Sequence, residues 1–386
     1  MKSRYTILKE TTKSLYHLGE YLLWLIFDPS KFQKIRKKDI KKILIIHLGA
    51  IGELLISTPL LPALKKSLGS EIHYLVSPGK EPIFKNNPYI SKVLTYRKDF
   101  KENTKMLKKE KFDMAIILAP GNWKIGLMCL KAGIKYRIGC FSGIRKGPAF
   151  FLTKRVFPLN KKHVIHKNLN MIRQIGVDNK DPKVEFYISK KEKQSAARLL
   201  KKLKINKYVI IHPVFGFSSQ SKYSANFWPS ERYAKVADYI IENYPFKVLI
   251  TGNKDEMIFS ENIMRHIKNK NKVIATNGMF SFGELGYVLS RARLLITTST
   301  GVKHLAEAFN IPIVELAGKG TFFKNPNKPS YYEWQPWVDN YIILYHDEVC
   351  TGCNALSCFK KTQECMLAIK PEEVIKAAKV LLKGKK

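Results

Sequence analysis

The sequence predicts an α/β protein built from two Rossmann-like domains, and three observations carry that prediction. A chain of 386 residues exceeds what one ordinary hydrophobic core holds. Short apolar, β-branched runs alternate with amphipathic stretches at the spacing of parallel βαβ units. The alternation pauses at a polar helical stretch, 190–204, and then starts afresh.

The first strand is Lys42-Ile43-Leu44-Ile45-Ile46-His47, a continuous apolar run of the kind buried on both faces of a parallel sheet. A helix over 54–68 follows, broken near Pro59 and Pro62. Further strands are read at 71–76, 92–96 and 114–118, the first of them ended by Ser77-Pro78-Gly79. The second series has strands at 208–212, 246–250, 272–274, 294–297 and 313–316. Its helices fall at 231–243, 257–267, 282–291 and 302–309. A last helix opens at Pro371-Glu372-Glu373, where proline and acids suit a helix start. The expected organisation is an extension over 1–40, one Rossmann-like domain over 41–189, another over 205–348, and a Cys-rich turn with a helix over 349–386. Two such arrays predict a ligand in a cleft at the carboxyl ends of the strands.

Charge narrows the partners. Lysine and arginine number 68 against 31 acids, a net charge of +37. The excess is spread along the chain, without the recognition helix or aromatic platform of a nucleic-acid reader. An anionic glycolipid, phosphorylated glycan or membrane surface is the expected partner, and nucleic acid is disfavoured. The apolar stretch Leu22-Leu23-Trp24-Leu25-Ile26-Phe27 is far shorter than the roughly 20 residues that span a bilayer. Flanking lysines suit a helix lying in an interface, and packing on the first domain is the equal alternative. No secretory signal is read, so the expected location is cytoplasmic, peripheral to the inner face of the membrane.

Four loops follow predicted strands. Gly49-Ala50-Ile51-Gly52-Glu53 joins a strand to a helix; its glycines permit close backbone approach, and Glu53 is placed to accept a hydroxyl proton. Thr297-Thr298-Ser299-Thr300-Gly301-Val302-Lys303-His304 sets hydroxyls, a glycine and a histidine around a helix start, a suitable diphosphate site. Ordinary capping explains either loop without any function. The third runs from His212-Pro213 through Lys222 and Asn226 to Trp228-Pro229, with Lys222 as a mobile countercharge or simply a surface residue. The fourth is Thr251-Gly252-Asn253-Lys254-Asp255-Glu256.

Taken in order, these segments resemble glycosyltransferase family 9, the ADP-heptose:lipopolysaccharide heptosyltransferases. Gly49-Ala50-Ile51-Gly52-Glu53 with Ser57-Thr58-Pro59 is similar to the family's Gly-x-x-Gly-Asp and Thr-x-Pro opening. Ser299-Thr300-Gly301-Val302-Lys303-His304-Leu305-Ala306 is similar to its donor loop. Trp228-Pro229-x-Glu231, Phe282-x-Glu284-Leu285, Ala292-Arg293-Leu294-Leu295-Ile296, Trp334-x-Pro336 and the Pro371 helix agree as well. The resemblance implies a GT-B fold and an inverting, metal-independent transfer that requires no cofactor. It implies Glu53 as catalytic base, Lys222, Thr300, Gly301 and His304 at the donor diphosphate, Glu256 at the ribose, and Gly252 and Ser299 elsewhere in the donor site. The implied donor is a nucleotide-diphosphate sugar, ADP-heptose first, and the implied acceptor a lipopolysaccharide-type glycolipid. Three positions depart from the family: Glu53 and Ser299 replace aspartates, and Asn226 replaces a lysine before Trp228.

On the acceptor side, Gly49 and Gly52 of the first loop, with Lys80, Arg137, Arg145, Lys146 and His163 in loops or near strand ends, are candidates for contact with an anionic sugar; solvated basic surface explains the charged ones equally well. Cys350, Cys353, Cys358 and Cys365 form a C-x2-C-x4-C-x6-C cluster. Only its first half has standard zinc spacing, so structural zinc, a disulfide and free thiols all remain open. Two other function classes compete: a sugar-nucleotide epimerase, which shares the architecture, and a binding protein that has lost catalysis.

Overall fold

The computed structural model describes residues 35–118, 123–140, 151–157, 159, 162–213, 226–318, 331–346, 358 and 361–383. The predicted amphipathic extension therefore lies almost wholly outside the described residues, as do Lys222, Arg145, Lys146, Cys350 and Cys353. Contacts divide the chain into two compact units. One comprises Met1–Gly49 and Ser57–Pro182; the other comprises Ala50–Ile56 and Lys183–Lys386.

After β1 (Lys42–Ile46) comes α1 (Ile51–Ile56), whose contacts place it in the second unit. The first unit continues with α2 (Leu60–Leu68), β2 (Glu71–Val76), β3 (Lys92–Thr95), α3 (Phe100–Glu110), β4 (Met114–Ile117), α4 (Trp123–Lys131), β5 (Tyr136–Cys140), β6 (Lys154–Val156) and α5 (Val164–Arg173). The break that the sequence places near Pro59 in the helix over 54–68 falls at 57–59 and leaves two helices, the first starting already at Ile51. Pro59 caps α2, and Pro62 sits in its first turn, where the missing N–H has no intrahelical partner to lose.

The six strands order as β3-β2-β1-β4-β5-β6, all parallel, with Ile43 of β1 opposite Ile72 on one side and Met114 on the other. Ile43, Leu44, Ile45 and Ile46 are all at most 1% exposed, as a strand covered on both faces requires. Each such side chain contributes about 1.5–3 kcal/mol by leaving water.

The second unit holds α6 (Lys190–Lys202), β7 (Tyr208–His212), α7 (Ser230–Asn243), β8 (Lys247–Ile250), α8 (Met257–His266), β9 (Val273–Ala275), α9 (Phe282–Ser290), β10 (Leu295–Thr298), α10 (Gly301–Glu307), β11 (Ile313–Leu316), α11 (Tyr331–Trp334), β12 (Tyr341–Leu344), α12 (Glu364–Ala368) and α13 (Pro371–Leu382). Its sheet orders β12-β11-β10-β7-β8-β9, again all parallel. Counted from its own first strand, each sheet reads 3-2-1-4-5-6. That is the doubly wound dinucleotide-binding order, which reverses direction between its first and fourth strands.

Local chemistry explains the helix starts. Ser189 with Glu192, and Ser281 with Glu284, form reciprocal capping boxes at α6 and α9. The Trp228-Pro229 segment is a fastener: Trp228 Nε1 donates to the Ile369 carbonyl, and Arg232 donates to the carbonyls of Leu367 and Ile369. Those bonds hold the turn that launches α13, whose Val374, Ala377, Ala378 and Leu382 complete the core against α7. No helix among the described residues is long and apolar enough to cross a membrane.

Candidate functional site

In the second unit the strand order reverses between β7 and β10, and the candidate donor residues gather there. Thr297 of β10 donates its hydroxyl to the carbonyl of His212, tying the end of one strand to the other at 3.0 Å. The loop Ser299-Thr300 then leads into α10. Thr300 occupies the cap position without using its hydroxyl as a cap; its Oγ1 lies 3.3 Å from Thr297 Oγ1. Capping therefore does not account for this hydroxyl. Ser299 and Thr300 are half-buried at the strand end.

The next strand over, β8, ends at Thr251-Gly252. His212 Nδ1 meets Thr251 Oγ1 at 3.0 Å, and burial lowers the His212 pKa to about 4, so the ring is neutral. Gly252 has no room for a side chain, since a Cβ there would come within 2.4 Å of Asn277 Nδ2. Glu256 closes a capping box with Asn253: the Asn253 amide donates to its Oε2 at 2.7 Å, and its own amide donates to Asn253 Oδ1 at 3.0 Å. It is 5% exposed, and burial raises its pKa. Gly252, Glu256, Thr300 and His304 thus line up on the carboxyl edge of three adjacent strands or just beyond it, where an open parallel sheet binds ligands.

The residue Glu53 arrives at this edge on α1. Its Oε2 accepts from the Ala50 amide at 2.7 Å, which pins the carboxylate to the first turn of its own helix. Burial raises its pKa, and the Ala50 bond only partly opposes that shift. Gly52 and Gly301 make the close approach possible. A Cβ on Gly52 would lie 2.6 Å from His304 Cδ2, and one on Gly301 would lie 3.2 Å from the Gly52 amide nitrogen. The two glycine loops, which the sequence separates by some 250 residues, are therefore in van der Waals contact. One turn earlier, the Gly49 amide donates to Nδ1 of His47, whose pKa burial lowers to about 4.

His304 is 5% exposed, and its Nδ1 lies 2.7 Å from Glu307 Oε1. Beside it Lys303 is completely buried; its Nζ donates to Glu315 Oε1 at 2.7 Å and to the Trp334 carbonyl at 2.6 Å. Sequence reading singled out His304 but gave Lys303, Glu307 and Glu315 no role. A signal existed in the acid within the apolar strand Ile313-Val314-Glu315-Leu316, which needs a buried partner.

The acceptor candidates fare differently. Gly49 and Lys80 lie beyond the carboxyl ends of β1 and β2, Lys80 half-buried before a short 3-10 turn. Arg137 stands near a strand end, as the sequence suggests, but its side chain is buried in the protein. It is the second residue of β5, at the amino end of the strand, and only 2% exposed. Its guanidinium donates to the carbonyls of Phe151, Ile134 and Lys135, serving the backbone rather than a ligand. Arg137→Ala should destabilise the protein by about 3 kcal/mol, because those carbonyls lose charged donors. Denaturant unfolding checks this; unchanged stability with weakened acceptor binding would restore the acceptor role. His163 caps α5, its Nδ1 accepting from the Ile165 amide at 3.2 Å.

Of the cysteine cluster, Cys358 and Cys365 are described, and both are buried. Cys365 packs in the second core, and Cys358 Sγ accepts from the Gln363 amide. Among the described residues no group of three His, Cys, Asp or Glu is placed to hold a metal ion.

The comparison with known proteins agrees with this geometry. The profile of glycosyltransferase family 9 (heptosyltransferase) matches residues 102–363. Lipopolysaccharide heptosyltransferase 3 of Escherichia coli is 23% identical over 309 residues, covering 76% of this chain and 86% of that protein. Among solved structures, a glycosyl transferase family 9 protein from Veillonella parvula superposes with a TM-score of 0.74 at 22% identity, covering 91% of this chain and 98% of the other. The ADP-heptose lps heptosyltransferase II of E. coli gives a TM-score of 0.69 at 18% identity, covering 89% and 99%. With more than half its length matched by the family profile and two parallel Rossmann-like sheets in the GT-B arrangement of strands, the chain belongs to glycosyltransferase family 9 and is a glycosyltransferase of the heptosyltransferase family.

Proposed function

We propose that this enzyme transfers a heptose-like sugar from an ADP-linked donor to an anionic, lipopolysaccharide-type glycan, with inversion and without a metal ion. The observation that carries the reading is the packing of the Glu53 helix on α10 through Gly52, Gly301 and His304. It sets a carboxylate with a raised pKa one residue from a glycine in contact with the diphosphate loop. A base for the acceptor hydroxyl and a site for the leaving group are what an inverting displacement requires.

In this reading Glu53 takes the proton from the acceptor hydroxyl, which attacks the anomeric carbon on the face opposite the nucleotide. The bond from that carbon to the diphosphate oxygen breaks as the new glycosidic bond forms. Ser299, Thr300, Gly301 and His304, with Lys222, hold the departing diphosphate and take the place a metal ion has in other transferases. The Gly252 turn, held tight by Asn277, seats the nucleotide, and Glu256 accepts from its ribose. The net charge of +37 suits an anionic acceptor at a membrane surface on the cytoplasmic side. The ADP donor is supported by the name of the E. coli relative, heptosyltransferase II.

Calorimetric titration with ADP, UDP, GDP and CMP tests the donor. ADP is expected to bind in preference to the others, and more weakly to Lys222→Ala. Preference for another base would keep the chemistry and replace the donor. No binding of any of the four would overturn the reading.

A further inference from the structure

The first sheet has a reversal point of its own, and a buried histidine stands at it. Its strand order turns between β1 and β4, and an open parallel sheet binds ligands at the carboxyl ends of the strands flanking such a turn. His47 directly follows β1. Its amide donates to the Leu75 carbonyl of β2, and the Leu118 amide, just past β4, donates to the carbonyl of Ile46. The imidazole therefore belongs to the last rung of the ladder, where β1 gives way to the turn that leads on to Glu53. The donor candidates gather on the second sheet, which leaves this crevice for the other substrate.

One hydrogen bond fixes the tautomer of the ring. The Gly49 amide donates to Nδ1 at 3.2 Å, so Nδ1 carries a lone pair and the ring is neutral, with its proton on Nε2. A proton added to Nδ1 would expel the Gly49 amide and open the turn. Burial favours the same neutral state by lowering the pKa to about 4. His47 is 4% exposed, and its Nε2 makes no hydrogen bond among the described residues. Nor is Nε2 one of the polar atoms sealed off without a partner, so solvent reaches it. Capping explains Nδ1 alone. An asparagine would close the same turn with a shorter side chain and no second nitrogen to bury.

A donor of this kind suits one class of oxygen. A phosphate is served best by a charged donor, which this ring cannot become without losing the Gly49 bond. An uncharged hydroxyl needs only the N–H that is already there.

We propose that His47 holds the acceptor, its Nε2–H donating to an uncharged sugar hydroxyl in the crevice where the first sheet reverses between β1 and β4. The residue selects the acceptor and takes no part in proton transfer. This role rests on the transfer reaction proposed above, and it adds a neutral contact to an acceptor otherwise defined by its charge.

Two substitutions separate the two nitrogens. In His47→Asn the side-chain oxygen still accepts from the Gly49 amide, and nothing takes the place of Nε2. In His47→Gln the amide nitrogen falls near the place of Nε2, and the bond from Gly49 is given up. Transfer is measured with ADP-heptose and a lipopolysaccharide acceptor, ADP binding by calorimetry and folding by denaturant unfolding. His47→Asn is expected to raise the acceptor KM about tenfold, the loss of one hydrogen bond between uncharged groups, with ADP affinity and stability kept. His47→Gln should bring the acceptor KM back towards the parent value, although the protein unfolds more easily. An unchanged KM in His47→Asn, or an equal rise in both variants, would overturn the proposal and leave His47 a cap. No transfer by the parent protein would overturn the reaction itself first, and this role with it. The ring resonances of His47 in the parent give a check that needs no variant. On adding the lipopolysaccharide acceptor, Nδ1 should stay in the lone-pair range while the Nε2 proton signal moves. An unmoved Nε2 proton, or an Nδ1 shifted to the imidazolium range, sinks the idea.

Discussion

Glu53→Gln is expected to lower the transfer rate by about 10²–10⁴-fold while ADP binding survives, the usual loss when a general base is removed. The amide is nearly isosteric and still offers an oxygen to the Ala50 amide, which the carboxylate now contacts at 2.7 Å. The first turn of α1 and its packing on α10 should persist. Burial raises the Glu53 pKa, so the parent enzyme should show an acid limb, with kcat/KM rising as pH increases through that raised value and Glu53 becomes able to accept a proton. The variant should lack this limb. Stability gives an independent sign. A carboxyl whose folded pKa exceeds its unfolded one binds more protons in the folded state, so stability falls as pH rises through the window between them. Glu53→Gln removes that loss and should be more stable than the parent at neutral pH. Full transfer activity in the variant, measured with ADP-heptose and a lipopolysaccharide acceptor, would remove Glu53 from the chemistry.

Lys303→Met should cost about 3–5 kcal/mol, the range found when one member of a buried ion pair is removed. Lys303 is 0% and Glu315 2% exposed, and the second Glu315 oxygen makes no hydrogen bond among the described residues. Without Lys303 a carboxylate is left in the core with its main partner gone, and the Trp334 carbonyl loses its charged donor as well. The double substitution Lys303→Met with Glu315→Leu should recover most of the loss, because two apolar side chains replace two charges of similar size. Denaturant unfolding of the parent, both single variants and the double variant completes the cycle. Additive losses in the double variant would mean that the two side chains stabilise the fold independently. Since α10 begins at the loop proposed to hold the diphosphate, the single variant should also bind ADP less well, and the double variant should regain part of that binding.

The strands most readily read from sequence were those buried on both faces. Ile43 to Ile46 and Tyr208 to His212 are continuous apolar runs, and each is the first strand of its sheet. Edge and near-edge strands gave a weaker signal. In β5, Tyr-Arg-Ile-Gly-Cys, the pattern is interrupted by Arg137 and Gly139. Phe151 and Leu152, which return alongside, help to explain both: the Phe151 carbonyl shares the guanidinium with those of Ile134 and Lys135, and Leu152 would crowd a Cβ on Gly139 at 3.0 Å. β12 is half-buried, and its register is set by β11 rather than by its own periodicity. At the site, Glu53, Thr300, Gly301 and His304 were legible because each follows a strand in a glycine-bearing turn. Glu307, Lys303 and Glu315 were not, since nothing local shows that a lysine three residues into a short helix meets an acid in the following strand.

What the sequence determined by itself was the number of sheets, the parallel winding and the positions of the glycine turns. These follow from local periodicity and from backbone room, both of which are written over a few consecutive residues. The tertiary structure alone decided that α1 packs with the second unit, bringing Gly52, the neighbour of Glu53, against His304, and that the Arg137 guanidinium is taken up by backbone carbonyl groups. It also decided which buried charge answers which. Those outcomes depend on desolvation and on pairing between residues distant in the chain, and the strength of a buried charge is set by what surrounds it in space.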